Sequence, residues 1–258
     1  MGRLFTQRKN IHTTLDQDTH RLLVSQSEVY GGMNQAIKCG LERLCDKSGL
    51  GVNCSDIGEN NYEIKRLKIG ILKLDQAIKG GVPEGFVVVI RGKPGVGKTT
   101  LCLYFIREGA RVGEKCLFFS FIEPARQIIS LYKQIFDNSH QDLLRFYSGW
   151  GLSLDNILSI IRDYAPSRIV LDSVNLQPGG LFRENLLWRN FWEHVKTHRI
   201  TCFITEIQTT HPTEFDYVSD GVLTLTKKSG SSDVFTEVSK MRLTHIPTNA
   251  LSLKLWEK

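Results

Sequence analysis

From Phe86 onward, short apolar runs alternate with longer segments in which apolar residues recur every three or four positions. The runs are FVVVI, KCLFFSF, SRIVLD and TCFITEI; between them lie KTTLCLYFIREGARVG, PARQIISLYKQIF, SLDNILSIIRDY and ENLLWRNFWEHVKTH. Continuous Val/Ile/Leu/Phe runs separated by amphipathic helices predict strands buried on both faces, hence an α/β fold with a mostly parallel central sheet. The end of the chain changes character. GVLTLTK, VFTEVSKMRL and ALSLKLWEK are strand-like with little helix between them, so the sheet is expected to finish in C-terminal antiparallel strands.

The beginning of the chain follows another pattern. In NIHTTLDQDTHRLLVSQSEVYGGMNQAIKCGLERLCDK, a short alternating stretch puts Ile11, Thr13 and Leu15 on one side and Asn10, His12 and Thr14 on the other. An amphipathic helix, a glycine turn and a second helix starting at Asn34 follow. Asp16 and Asn34 are the expected N-caps, and Leu22, Leu23, Ile37, Leu41 and Leu44 fall at helical spacing. DKSGLGVNCSDIGENNYE has neither period and reads as a linker. The expected organisation is a small β-α-α segment over 1–48, a linker over 49–63 and an α/β domain over 64–258.

Composition narrows the classes. With 258 residues, 41% of them apolar and 23% charged, the chain can bury a large core, and its net charge of +6 suits a polyanionic partner. Residues 1–60 hold seven Lys/Arg and seven Asp/Glu, a net of zero, so the excess lies in the α/β part. No apolar run approaches a membrane span and the N-terminus lacks a signal-peptide core, so a cytoplasmic protein without a membrane partner is expected. The six cysteines form no C-x-x-C pair and read as reduced thiols; Cys39, Cys45 and Cys54 lack the paired spacing of a metal site.

Candidate chemistry centres on VIRGKPGVGKTTL, which fits G-x-x-x-x-G-K-[ST] between a predicted strand and a predicted helix. Gly92, Lys93, Pro94, Gly95, Val96, Gly97, Lys98, Thr99 and Thr100 form the expected nucleotide-binding loop. Its glycines let the backbone curl around phosphate oxygens and present N–H groups and a helix N-terminus to them. Lys98 is placed to neutralise the β- and γ-phosphates, and the Thr99 hydroxyl to hold Mg²⁺. SRIVLD ends in Asp172, an acid at the strand edge where such a site needs its other Mg²⁺ ligand. KCLFFSF runs into IEPAR, which puts Glu123 at the same edge, as a base for an attacking water or as a helix-initiating acid before Pro124. No N-K-x-D word specifying guanine occurs, so ATP is the expected nucleotide. Trp188 and Trp192, at i and i+4, read as one packed helix face, and His245 as a polar strand residue.

The words GILKLDQAIKGGVPEGFVVVIRGKPGVGKTTL, LFFSFIEP, IVLDS, YVSDGVLTL and SKMRLTH, in that order, resemble the RecA-like P-loop ATPases and, within them, the KaiC family. The resemblance runs over about 190 residues from Ile64 onward, the length of one such domain. It implies a RecA-like fold, ATP and Mg²⁺ as ligands, and a homo-oligomer, usually a hexameric ring, with nucleotide between neighbouring subunits. It also implies that Lys240 and Arg242 of KMR reach the neighbour's γ-phosphate; a solvated strand edge is the alternative. One departure stands out: where the family commonly has two adjacent acids, this chain has Ile122 and then Glu123. That leaves hydrolysis of ATP to ADP and phosphate open against a nucleotide sensor with little turnover.

The N-terminal segment resembles a ribbon-helix-helix domain, in which two chains pair their strands into a ribbon that lies in the DNA major groove. The resemblance implies dimerisation, double-stranded DNA as a partner, base-edge contacts from Asn10, His12 and Thr14, and a phosphate gripped at Asn34. A helical hairpin that only mediates assembly is the alternative. Together these features suggest a KaiC-like regulatory ATPase coupled to DNA by its N-terminal segment, with an unidentified protein partner reading its ATP state. A recombination or repair accessory ATPase would instead bind single-stranded DNA through NLQPGGLFREN and TTHPTEFDYVS, which hold few cations for that purpose.

Overall fold

The computed structural model describes residues 64–136, 140–174, 185–208, 213–227 and 233–255. The N-terminal segment and linker, with Asn10, His12, Thr14 and Asn34, lie outside these residues, as do 175–184 and 209–212 of the two loops considered for single-stranded DNA. The chain starts with β1 (Arg66–Leu67), then α1 (Leu72–Ala77) and β2 (Val82–Pro83), which pairs antiparallel with β1. Next come β3 (Val87–Gly92), α2 (Lys98–Arg111), β4 (Cys116–Ser120), α3 (Ala125–Ile135), β5 (Leu144–Ser148), α4 (Leu154–Tyr164) and β6 (Arg168–Asp172). After these follow α5 (Asn185–Thr197), β7 (Thr201–Ile207), α6 (Glu214–Val218), β8 (Gly221–Lys227), β9 (Val234–Met241) and β10 (Leu251–Leu253).

The main sheet runs β10-β9-β8-β3-β7-β6-β4-β5. The six strands from β8 to β5 are mutually parallel, and β9 and β10 add on antiparallel, as the sequence pattern predicts. β3 lies inside the sheet and shows the period of two directly. Val88 and Ile90 face α2, packing in one buried layer with Leu101, Phe105, Phe118 and Phe203, where the Phe105 and Phe203 rings stack at 3.8 Å. Val87 and Val89 face the opposite layer, with Ile157, Ile161, Phe191 and Val195 of α4 and α5. Each such side chain contributes about 1.5–3 kcal/mol by leaving water. β9 instead alternates buried and more exposed positions, as an antiparallel strand with one wet face does.

Helix starts divide into two kinds. α4 has a side-chain cap, with the Asn156 N–H donating to Ser153 Oγ at 3.2 Å and the Ser153 N–H to Asn156 Oδ1 at 3.1 Å. α2 has none, and its bare N-terminus is where the glycine loop ends.

Three features depart from the sequence pattern. β5 falls in LRFYS, a half-exposed edge strand that apolar continuity does not mark out. β9 stops at Met241 and does not run through KMRL, because the Arg66 guanidinium captures the Leu243 carbonyl at 2.8 Å and Thr244 Oγ1 at 2.9 Å, with Leu243 in the left-handed region at φ 56°. Arg242 and His245 therefore lie beyond the strand, so His245 is not the strand residue expected. Trp188 does pack as a helix-face residue, with its ring edge-on to Phe191 and Phe215. Among the described residues, Cys102, Cys116 and Cys202 are buried free thiols, no three His, Cys, Asp or Glu gather as a metal cluster, and no helix is long and apolar enough to cross a membrane.

Candidate functional site

The C-terminal ends of the six parallel strands share one edge, and the loop from Gly92 to Gly97 rises from its middle. Gly92 lies against β8: a Cβ there would stand 2.6 Å from the Leu225 carbonyl oxygen and 2.7 Å from Val96 Cγ1, so no side chain fits. Gly97, at φ 104°, precedes α2 without offering a side-chain acceptor, which leaves the first-turn amides available to an anion. Lys98 reaches back across the loop, where Nζ donates to the carbonyls of Gly92 at 2.8 Å and Lys93 at 3.1 Å. Burial lowers its pKa and the nearby Asp172 carboxylate works the other way. A phosphate entering the loop would meet this ammonium and the helix amides together.

Asp172 ends β6 almost wholly buried. Its carboxylate accepts from Thr99 Oγ1 at 2.8 Å and from Thr205 Oγ1 at 2.5 Å. Burial raises its pKa, and these hydroxyl bonds together with Lys98 pull it back toward the charged form. Ser173, left-handed at φ 65°, donates its N–H to Thr205 Oγ1 at 2.6 Å and so locks the hydroxyl that orients Asp172. Thr205 was not among the residues expected from sequence. Its signal was a polar residue near the C-terminal end of an otherwise apolar strand. The Thr99 hydroxyl and a buried carboxylate oxygen beside it are hard oxygen donors, the kind Mg²⁺ takes alongside waters and phosphate oxygens. These residues therefore fit the cation that the resemblance implies.

Glu123 follows β4 on the same edge, its backbone N–H held by Ser120 Oγ at 3.2 Å. A cleft of about 290 Å³ is lined by Gly95, Lys98, Thr99, Glu123 and Ser173, with Ile122 at its rim. A second cleft of about 270 Å³, on the other side of the loop, runs between Lys93, Val96, Gln208 and Thr226. Lys98, Thr99 and Glu123 thus meet in one opening, with Asp172 beneath Thr99.

Lys240 and Arg242 are not brought there. Lys240 pairs with Val222 and Met241 with Gly221, at the start of β8, whereas Gly92 pairs with Leu225 toward its other end. Leu225 lies three residues along β8 from Val222 and four from Gly221, which puts about 10–13 Å between the two levels, more than either side chain spans. Lys240 Nζ donates to the carbonyls of Asp216 at 2.9 Å and Ser219 at 2.6 Å, while Arg242 Nη1 faces Asp220 Oδ1 at 3.3 Å with its side chain 56% exposed. Sequence also gave no warning of Arg91, the residue before Gly92. Its guanidinium bonds Glu206, Asp216 Oδ1 at 2.5 Å and Thr213 Oγ1 at 2.8 Å.

A family model described as "ATPase: KaiC" matches residues 67–144. The circadian clock protein KaiC2 of Synechocystis sp. is 27% identical over 179 residues, 64% of this chain and 32% of that protein. The DNA repair protein RadA of Aquifex aeolicus is 37% identical over 112 residues, 43% of this chain and 24% of that protein. The chain spans about a third or less of the length of these relatives. In fold, it matches the crystal structure of a KaiC-like protein from Pyrococcus horikoshii with a TM-score of 0.63 at 23% identity, over 74% of this chain and 94% of that one. The family model and these relatives support a RecA-like ATPase domain of the KaiC family, and the solved structure shares its fold.

Proposed function

We propose that this protein binds and hydrolyses ATP with Mg²⁺ at sites completed between copies of the chain, and that its ATP state is coupled to double-stranded DNA through the N-terminal segment. The observation that carries the first half is the division of the site: Lys98, Thr99, Asp172 and Glu123 share one end of the sheet, and Lys240 and Arg242 stand at the other. Lys98 and the loop amides hold the phosphates, and Thr99 with Asp172 would hold Mg²⁺, which supplies charge neutralisation at the phosphate oxygens. Glu123 orients the attacking water and takes its proton. Arg242 of the adjacent copy, and Lys240 behind it, stabilise the charge that develops as the γ-phosphoryl leaves. Arg242 is the more available of the two, because Lys240 already has two carbonyl acceptors. A closed ring, hexameric in this reading, gives every site such a neighbour.

The DNA half draws support from the ribbon-helix-helix resemblance and from a relative whose name is that of a DNA repair protein. The test is turnover per subunit at rising protein concentration, with duplex binding followed for the full chain and for a version starting at Tyr62. Turnover should rise with concentration, Arg242→Ala should keep ATP binding while losing turnover, and the truncated chain should lose duplex binding. Concentration-independent turnover would sink the shared site; equal duplex binding by the truncated chain would sink the N-terminal reading. A second reading, nucleotide sensing with little turnover, is favoured by one feature: an apolar Ile122, 49% exposed, stands beside Glu123 at the cleft. ATP binding without phosphate release at any concentration would select it.

A further inference from the structure

The two cations assigned above to a neighbouring site are held by one short turn. Lys240 Nζ donates to the carbonyls of Asp216 and Ser219. The Arg242 N–H donates to the Asp220 carbonyl at 2.9 Å, and its guanidinium faces the Asp220 carboxylate. That carboxylate is fixed in turn by the Val87 N–H at 2.9 Å and by Lys196. All these acceptors lie between Asp216 and Asp220, at the end of α6 and in the two residues that join it to β8.

The Asp216 side chain looks the other way. It accepts from Arg91 Nη1 at 2.5 Å and caps α6 by accepting the Thr213 N–H at 2.7 Å. Arg91 is bonded covalently to Gly92, and the Gly92 carbonyl holds Lys98. Direct contacts thus run from Lys98 through Gly92 and Arg91 to Asp216, and from the Asp216 carbonyl to Lys240. The Arg91 fork is engaged by Glu206, Asp216 and Thr213 at once, and its side chain is only 14% exposed. A planar fork with its arms bonded cannot reorient to absorb a shift of its backbone. A shift of the Gly92 backbone, as phosphates draw Lys98 off its carbonyl, would be passed by this fork to Asp216, which lies in the five-residue helix α6.

We propose that Asp216 is a positioning residue that couples a subunit's own phosphate loop, through Arg91, to the placement of Lys240 and Arg242 that it presents to the next subunit. The inference rests on the shared-site reading above.

Mixing full-length copies tests it. Site donors carry Arg242→Ala; cation donors carry Glu123→Gln, which leaves ATP bound but unhydrolysed. Each alone should be inactive, and the mixture active. Adding Asp216→Asn to the cation donors should lower the rescued turnover about tenfold, the scale of a misplaced catalytic group, while adding it to the site donors should change turnover less than about twofold. Asparagine still accepts the Thr213 N–H, so α6 keeps its cap. Arg91→Lys, which keeps a charge between the acids but loses the fork, should show the same donor-side defect. Cation donors that cannot bind ATP, Lys98→Ala, should also rescue less well than Glu123→Gln donors. Equal rescue with and without Asp216→Asn, or a defect confined to the site donors, overturns the inference. Failure of the parent mixture to regain any turnover removes the shared-site reading itself, so the two failures are told apart.

Discussion

At Asp172 stability and chemistry pull in opposite directions. The carboxylate is buried, and burial holds its pKa above the ordinary carboxylate value. The folded protein therefore takes up the proton more readily than the unfolded chain, and the stability tied to this group is fullest at low pH and lost as pH rises through the raised pKa. At neutral pH the charged form is a cost that a bound cation would offset. Asp172→Asn should accordingly raise the melting temperature of the nucleotide-free protein by a few degrees at neutral pH, with the gain disappearing near about pH 4. The same change should lower Mg²⁺-dependent phosphate release by about 100-fold or more. Melting curves at the two pH values, beside a phosphate-release assay, check both halves. Lys98 makes the simpler case. Its ammonium already sits on two loop carbonyls, in the place a phosphate oxygen would take over. Lys98→Ala should weaken ATP binding about 10- to 100-fold by titration calorimetry, the worth of one charged hydrogen-bond partner.

Among the elements, α2 shows why local preference does not decide stability. Alanine inside a helix ordinarily gains about 1 kcal/mol over glycine. At Gly109, however, a Cβ would lie 2.5 Å from Arg168 Cδ and Nε and 2.8 Å from Cys116 Sγ. Arg168 cannot withdraw: it is 1% exposed and donates to Glu114 at 2.5 Å, the Lys68 carbonyl at 2.6 Å and the Phe105 carbonyl at 2.8 Å. Gly109→Ala should therefore destabilise by about 1–3 kcal/mol, and Arg168→Ala by about 3–5 kcal/mol because Glu114 loses its partner. Urea midpoints at constant slope measure both. The same elements mark how far sequence reading carries. β3, β4, β6 and β7 were legible because both their faces are buried, which leaves continuous apolar runs. β5 was not, because an edge strand half in water carries no such run. The end of β9 is set by Arg66, which lies 177 residues away from Leu243 and leaves no trace in local periodicity. At the site, Lys98, Thr99, Asp172 and Glu123 could be named from a motif and two strand ends. Thr205 and the Arg91–Asp216 pair could not, because which polar groups face each other across strands is decided only when the sheet assembles.

For the whole molecule, the separation of Lys98 from Lys240 and Arg242 matters most, because under the proposed shared-site reading it makes one chain an incomplete site. Charge points the same way for DNA: residues 1–60 carry no net charge, so duplex binding by that segment would rest on base-edge and helix N-terminal contacts more than on a basic surface. Its affinity should then fall less steeply with salt than that of a strongly basic arm, which anisotropy titrations from low to physiological salt can follow. The most direct test of the central claim is phosphate release by an equal mixture of Arg242→Ala and Glu123→Gln chains. If each site is completed by its neighbour, two inactive proteins should together recover about a quarter of the wild-type turnover, since about one junction in four pairs an intact site with an intact arginine. No recovery, from variants that still bind ATP and still assemble, would contradict it.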